Sequence, residues 1–301
     1  MTPRRPPSVL AFRSVLFTPG NHPRRVARVF DCGADVAVLD LEDAVAVAEK
    51  VAARTFVVQA LAQPRRCAGY VRINSFDTEW CYADLTAIVG PGIDGVVLPK
   101  TETADQLRTV DWVIAQLERE RGLPVGGIDL MPIIETARGV MALETILAAS
   151  PRVRRVAFGG GDYTLDLDLQ WSEDEGELAF ARGRLVHCSR VAGLEPPVDT
   201  VLLQIRDTER FSRSARLARR MGFQGKLCIH PDQVAPANGA FTPTPEEVAQ
   251  ARAVIEAFAQ AERGGLASIQ VGGLFIDYAI VFKAERVVAL AQRAAAGVAP
   301  A

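Results

Sequence analysis

The feature that most constrains this chain is a repeated alternation of two hydrophobic periods. Short apolar, β-branched runs, each closed by a glycine or a polar residue, are followed by stretches with helical spacing. The runs cover residues 13–20 (RSVLFTPG), 36–42 (VAVLDLE), 70–74 (YVRIN), 95–100 (GVVLPK), 129–135 (DLMPIIE), 154–162 (RRVAFGGGD), 198–205 (VDTVLLQI) and 225–231 (GKLCIHP). Helical spacing fills 44–61, 103–121, 175–192 and 207–221 between them. Strands that each hand over to a helix must run parallel, since every return passes through a crossover. Eight such units within residues 13–240 predict a closed (β/α)8 TIM barrel rather than an open sheet.

The ends read differently. Residues 1–12 contain Arg4 and Arg5 but no apolar segment of a secretory signal, and are expected to be a flexible N-terminus. Residues 241–301 are expected to form a C-terminal helical extension: a Thr/Pro turn at 242–245, a long helix through Arg263, a Gly264-Gly265 break and a final helix after Asp277. This tail looks too short for a core of its own, so it is expected to cover the barrel mouth or a neighbouring subunit.

Composition excludes several classes. With 34 Lys+Arg against 36 Asp+Glu, the net charge of −2 lacks the basic excess of a dedicated nucleic-acid binder but admits a small acidic metabolite. No uncharged apolar run approaches the roughly 20 residues of a membrane span, so a soluble chain with no membrane partner is expected. The five cysteines, an odd and scattered set, fit neither a disulfide framework nor a zinc site and suit a reducing cytoplasm. Gly90, Gly92 and Gly95 spell G-x-G-x-x-G but precede a strand, whereas a dinucleotide fingerprint follows one, so they read as a turn. Neither a G-x-S-x-G elbow, a Walker A loop nor an H-E-x-x-H pair is present. His187, inside a helical stretch beside Val186 and Cys188, is expected to be a packing residue.

The informative pattern lies at the C-terminal ends of the runs. There stand Asp40, Glu42 and Asp43, then Arg72 and Asn74, Lys100, Glu135, Asp162 and His230. A barrel builds its active site on that rim, so these charges read as a converging site. Glu135 and Asp162, from adjacent strands, offer hard carboxylate oxygens with no Cys or His beside them, which favours Mg2+ completed by water and substrate. Arg72 supplies a planar fork for a carboxylate or enolate oxygen; a barrel-end ion pair to Glu42 or Asp43 is the structural alternative.

These residues also carry a resemblance. Arg13-Ser14-x-Leu16-Phe17-x-Pro19-Gly20, Asp40-Leu41-Glu42-Asp43-Ala44-Val45, Val71-Arg72-Ile73-Asn74, Leu98-Pro99-Lys100, Phe158-Gly159-x-x-Asp162 and Ile229-His230-Pro231-x-Gln233 occur in that order, and the chain resembles the citrate lyase β-subunit family of citryl-CoA, malyl-CoA and citramalyl-CoA lyases. The resemblance implies a Mg2+-dependent barrel enzyme that makes or breaks the C–C bond between an acetyl-CoA enolate and a 2-oxoacid, as a homotrimer or hexamer. By matching position, Glu135 and Asp162 correspond to the metal ligands, Arg72 to the substrate and oxyanion clamp, and Glu42 and Asp43 to holders of metal-bound water. Asp277, in Gly273-Leu274-Phe275-Ile276-Asp277, is similar to a tail aspartate given to the neighbouring subunit's site as general acid/base. Two positions depart from the family pattern: Gly161 stands where many members have Glu, and Phe275 where many have Met. A CoA groove would draw on Arg13, Lys100, Lys226 and the His230 loop. The alternatives are a malyl-CoA thioesterase, a CoA-independent 2-oxoacid aldolase, and a non-catalytic or carrier-dependent β subunit of a larger complex.

Overall fold

The structure, a computed structural model, describes residues 11–296, so most of the segment expected to be flexible at the N-terminus lies outside the described residues. Eight parallel strands close on themselves in sequence order, with the last pairing to the first. They are β1 (Ser14–Pro19), β2 (Val36–Asp40), β3 (Ala68–Arg72), β4 (Gly95–Leu98), β5 (Asp129–Ile134), β6 (Ala157–Phe158), β7 (Val198–Asp199) and β8 (Gly225–Cys228). Helices follow the strands, among them Lys50–Leu61, Ala104–Glu120, Ala179–Val191 and Thr208–Met221, and the fold is a (β/α)8 barrel with a C-terminal helical region.

Strand alternation sorts the core into two shells. Leu16, Leu39, Val71, Val96, Leu98, Leu130, Ile134 and Phe158 pack outward into one cluster with the helices. The alternate residues, Val15, Val36, Val38, Tyr70, Val97, Met131, Ile133 and Leu227, are just as buried and face the barrel axis. The N-terminal end is plugged. Tyr70 donates to Asp129 at 2.7 Å, Arg155 pairs with Asp129 and Glu195, and its guanidinium lies 3.6 Å from the centroid of the Phe12 ring. Gly95 is required there, because the Tyr70 ring fills the space a Cβ would take. With that end sealed by ion pairs, the C-terminal rim is the open one.

Two strands are shorter than the hydrophobic runs predict. After β6 the chain turns into the helix Gly160–Asp166, and β7 stops at Asp199. The Gly160 N–H is captured by Thr200 Oγ1 at 2.7 Å, so the ladder ends and Asp162 sits in the first helical turn instead of at a strand end. Gly90–Ile93 form a turn ahead of β4, with Gly92 at φ +91°.

A second compact unit begins at Thr242. Thr244 and Glu247 cap each other reciprocally, and Pro245 opens the helix Pro245–Arg263. The glycine break does not lead directly to the last helix, as the sequence suggests. An antiparallel hairpin intervenes, β9 (Ser268–Val271) and β10 (Leu274–Asp277), joined through Gly272 and Gly273 at φ +58° and +82°. Two consecutive positive φ values in a two-residue loop match the twist of paired strands, which is why the turn needs this glycine pair. The helix Tyr278–Ala296 follows. The expectation that this tail has no core is corrected: Phe258, Ile276 and Val281 are buried together, with Val254, Ile255, Ile269 and Ile280 against them. Among the described residues no helix is long and apolar enough to cross a membrane, and Cys32, Cys67, Cys81, Cys188 and Cys228 are free thiols.

Candidate active site

The rim is organised by Asp40, the last residue of β2. Its carboxylate accepts the N–H groups of Glu42 at 3.0 Å and Ala44 at 3.2 Å, folding Asp-Leu-Glu-Asp into a tight turn. The same carboxylate takes Arg72, the last residue of β3, in a two-pronged pair at 2.7 and 2.6 Å from Nε and Nη2. Arg72 Nη1 lies 2.8 Å from Glu42 Oε2, and its guanidinium is 5.2 Å from the centroid of the Phe17 ring. The structural alternative of an ion pair is therefore realised, with Asp40 and Glu42 and without Asp43. Burial opposes the charge on Arg72, but Asp40 and Glu42 more than restore it and hold its pKa raised.

Beneath this turn lies a brace that sequence reading missed. Lys50 donates to the carbonyls of Leu41 and Glu42, both at 2.9 Å, and to Asn74 Oδ1 at 2.6 Å. Asn74 in turn donates to Asp84, which pairs with Arg54. The available signal was positional: Lys50 shares the buried face of its helix with Ala53, Val57 and Ala60. A lysine at a core register needs internal acceptors.

Lys100 follows β4 in the left-handed region at φ +47°, a conformation that costs a β-carbon residue about 1–2 kcal/mol. It is held there from both ends. Its N–H donates to Glu135 Oε1 at 2.7 Å, and Nζ bridges Glu42 at 2.6 Å and Asp43 at 2.9 Å. Glu135 follows β5 and is almost fully buried. Burial, then Asp162 and Glu42, push its carboxyl well above the ordinary glutamate range, against the pull of Arg72 and the Lys100 N–H. Glu42 is raised as well, by burial that Arg72 and Lys100 only partly offset.

Phe17, Asp40, Asp43, Arg72, Glu135 and Asp162 line a pocket of about 380 Å³ in the barrel mouth. Glu42 and Lys100 join it through their ion pairs. Two expected contributors, Arg13 and Lys226, are elsewhere in the barrel. Arg13 stands before β1, at the opposite end of the barrel, with its guanidinium on Asp35 at 2.7 and 2.9 Å, so it is corrected from a rim residue to an N-terminal-end ion pair. Lys226 is neither a groove residue nor a surface charge. It is fully buried, 2.7 Å from Asp199, which also binds Arg182. His230 is at the rim, but its Nδ1 accepts the Asp232 N–H at 3.3 Å and caps the 3-10 turn Pro231–Gln233. His187, expected to be a packing residue, is instead exposed on its helix, with Nδ1 2.7 Å from the Gly183 carbonyl of its own turn. Asp277 ends β10 in the second unit, where its carboxylate accepts the Ile280 N–H at 3.1 Å.

The donor set fits a hard divalent cation held in part by other ligands. Among the described residues no group of three or more Asp, Glu, His or Cys side chains could hold a metal unaided. Glu135 and Asp162 are two, and Mg2+ usually takes one or two protein carboxylates and completes its octahedron with water and substrate. The charge balance points the same way. Five carboxylates, Asp40, Glu42, Asp43, Glu135 and Asp162, stand there against Arg72, Lys100 and the exposed Arg25.

Fold and rim together define a (β/α)8 barrel with a carboxylate-rich pocket at its C-terminal mouth, the end where such barrels build their active sites. The family model described as HpcH/HpaI aldolase/citrate lyase matches residues 13–231, and the chain belongs to this family. It is 38% identical over 281 residues to the citrate lyase subunit beta of Leuconostoc mesenteroides subsp. cremoris, covering 93% of each chain. It is 32% identical to the L-malyl-CoA/beta-methylmalyl-CoA lyase of Cereibacter sphaeroides, over 95% of this chain and 96% of that one. A crystal structure of protein CitE from Mycobacterium tuberculosis in complex with magnesium, acetoacetate and coenzyme A superposes with a TM-score of 0.77 at 30% identity, over 95% of this chain and 100% of that one. The chain is accordingly an enzyme of the lyase class.

Proposed function

We propose that this protein is a Mg2+-dependent carbon–carbon lyase that cleaves, or forms, a 3-hydroxy-3-carboxyl acyl-CoA thioester of the citryl, malyl or citramalyl type, giving acetyl-CoA and a 2-oxoacid. The observation that carries this is the carboxylate pair Glu135 and Asp162 opposite the Arg72 guanidinium in one pocket at the barrel mouth. Relatives named for citrate lyase and malyl-CoA lyase, and a structural neighbour holding magnesium and coenzyme A, support it.

In the cleavage direction the O–H electron pair of the substrate hydroxyl becomes the new C=O. The C–C pair passes to the thioester enolate, and the enolate carbon takes up a proton, so proton and electron counts balance. Mg2+ held by Glu135 and Asp162 would lower the hydroxyl pKa and stabilise the forming 2-oxoacid. Arg72, fixed by Asp40, presents permanent positive charge to the substrate carboxylate and developing oxyanion, a contribution of about 3 kcal/mol for one such donor. Glu42 and Asp43, both tied to Lys100, hold water at the rim. Lys100 keeps Glu135 oriented through its backbone N–H and is free to meet CoA only by exchanging its acidic partners.

Asp277 supplies the proton to the enolate carbon in a neighbouring subunit's site, within a homotrimer or hexamer. Val271, Leu274, Phe275 and Tyr278 are exposed around it in the single chain, an apolar surface that suits coverage in an assembly.

The test is acetyl-CoA release by the purified protein from citramalyl-, malyl- and citryl-CoA, with and without Mg2+. Metal-dependent formation of acetyl-CoA together with a 2-oxoacid is expected. Free CoA with an intact hydroxyacid would mean a thioesterase, and silence on all three esters would sink the lyase reading.

A further inference from the structure

The pocket has a strongly uneven lining, which bears on the 2-oxoacid it accepts and rests on the lyase reading above. Its acidic groups and Arg72 come from the ends of β2, β3 and β5 and the turn after β6. Phe17, Ile133, Val201, Leu203, Leu227 and Ile229 supply its large apolar side chains, with the hydroxyl residues Thr18 and Thr200 among them. Ile133 lies two residues before Glu135, so both face the axis and Ile133 forms the layer below. Leu227 is also inward-facing and almost fully buried, which makes the floor apolar.

The cations are already engaged. Arg72 directs Nε and Nη2 to Asp40 and Nη1 toward Glu42, and Lys100 bridges Glu42 and Asp43. Among the described residues the one other cation lining the pocket is Arg25, an exposed residue of the outer helix Pro23–Val29. The substrate's first carboxylate has the metal and Arg72 to meet it. A second carboxylate directed at the floor would meet the branched aliphatic side chains of Ile133, Leu227 and Ile229, and burying an unpaired charge against such groups is strongly unfavourable. Gly161 leaves room without adding polarity, since a Cβ there would meet nothing within 4 Å.

We propose that the pocket selects a 2-oxoacid whose keto carbon bears a small alkyl group, as in pyruvate, and rejects one bearing a second carboxylate, as in oxaloacetate; Ile133, Leu227 and Ile229 are the specificity-determining residues. The ester cleaved would then be of the citramalyl type in preference to the citryl type.

Two measurements on the full-length protein test this independently. Calorimetric binding of pyruvate and oxaloacetate in the presence of Mg2+ is expected to favour pyruvate by at least about 30-fold, and kcat/KM for citramalyl-CoA is expected to exceed that for citryl-CoA by at least about 100-fold. Oxaloacetate binding as tightly as pyruvate, or citryl-CoA turning over as fast as citramalyl-CoA, would overturn the proposal while leaving the lyase reading intact. Selective pyruvate binding with no cleavage of any ester would support the pocket's selectivity and remove the lyase reading instead.

Discussion

Gly159 has no side chain because the Glu135 carboxylate occupies that space: a Cβ on Gly159 would lie 2.6 Å from Glu135 Cβ and overlap Oε2. The glycine that follows β6 thus sets the position of the acid that follows β5. Gly159→Ala is expected to displace Glu135, lower kcat by at least about 100-fold and cost about 1–3 kcal/mol of stability by overpacking. Steady-state kinetics and a denaturant melt check both, and an alanine variant with wild-type kcat would show that Glu135 can work from another position.

Neutralising either proposed ligand should separate catalysis from folding. Glu135→Gln and Asp162→Asn are expected to abolish Mg2+-dependent turnover with an unchanged circular dichroism spectrum. Since burial, Asp162 and Glu42 disfavour the charge on Glu135, Glu135→Gln should also melt no lower than the parent without metal. A lower melting temperature would contradict the view that this carboxylate is held at an energetic cost.

Arg72→Lys keeps the charge and loses the fork. Lysine cannot span both Asp40 oxygens while presenting a second donor to substrate, so kcat/KM should fall by at least about 100-fold, with kcat carrying most of the loss. A change confined to KM would reassign Arg72 to ground-state binding.

Asp277→Ala should lower turnover while leaving 2-oxoacid binding nearly unchanged. Mixing Asp277→Ala protein with protein carrying Arg72→Ala should restore part of the activity if the aspartate serves a neighbouring subunit. Absence of complementation in assemblies shown to contain both chains would remove that role.

The Lys226–Asp199–Arg182 cluster makes a pH prediction. Despite full burial, which raises its pKa, Asp199 is held below the usual carboxylate range by Lys226 and Arg182. A depressed carboxyl pKa contributes stability that is present above the unfolded value of about 4 and is lost as pH falls through the folded value. Asp199→Asn, which leaves Lys226 buried beside a neutral amide, should therefore cost about 3–5 kcal/mol at pH 7. The gap to the parent should narrow as pH drops below about 4 in chemical denaturation. A gap independent of pH would mean that packing, and not charge, holds this cluster together.

Much of the barrel was legible because its code is local. Short apolar, β-branched runs handing over to helical spacing are written in consecutive residues, and the polar residues closing those runs, Arg72, Lys100, Glu135 and Asp162, inherit the open rim from topology alone. Boundaries failed where a tertiary contact ended an element early, as when Thr200 captures the Gly160 N–H and puts Asp162 on a helix. The hairpin of the second unit is marked by Gly272-Gly273 between alternating Ile269, Val271, Leu274 and Ile276, a short signal that the helical spacing on both sides outweighs.

By itself, the sequence determined the repeat, the direction of the strands and the identities of the charges at their ends, since each follows from side-chain period and chain connectivity. Only the tertiary structure decided which charge faces which. Arg13, Lys226 and Lys100 are all cations in or near strands, yet one closes the N-terminal end on Asp35, one is buried against Asp199 and one bridges Glu42 and Asp43 at the rim. The reason is physical. A charge takes its role from the partners and burial that distant segments bring to it, and those depend on the closure of the barrel, to which no short stretch of sequence has access.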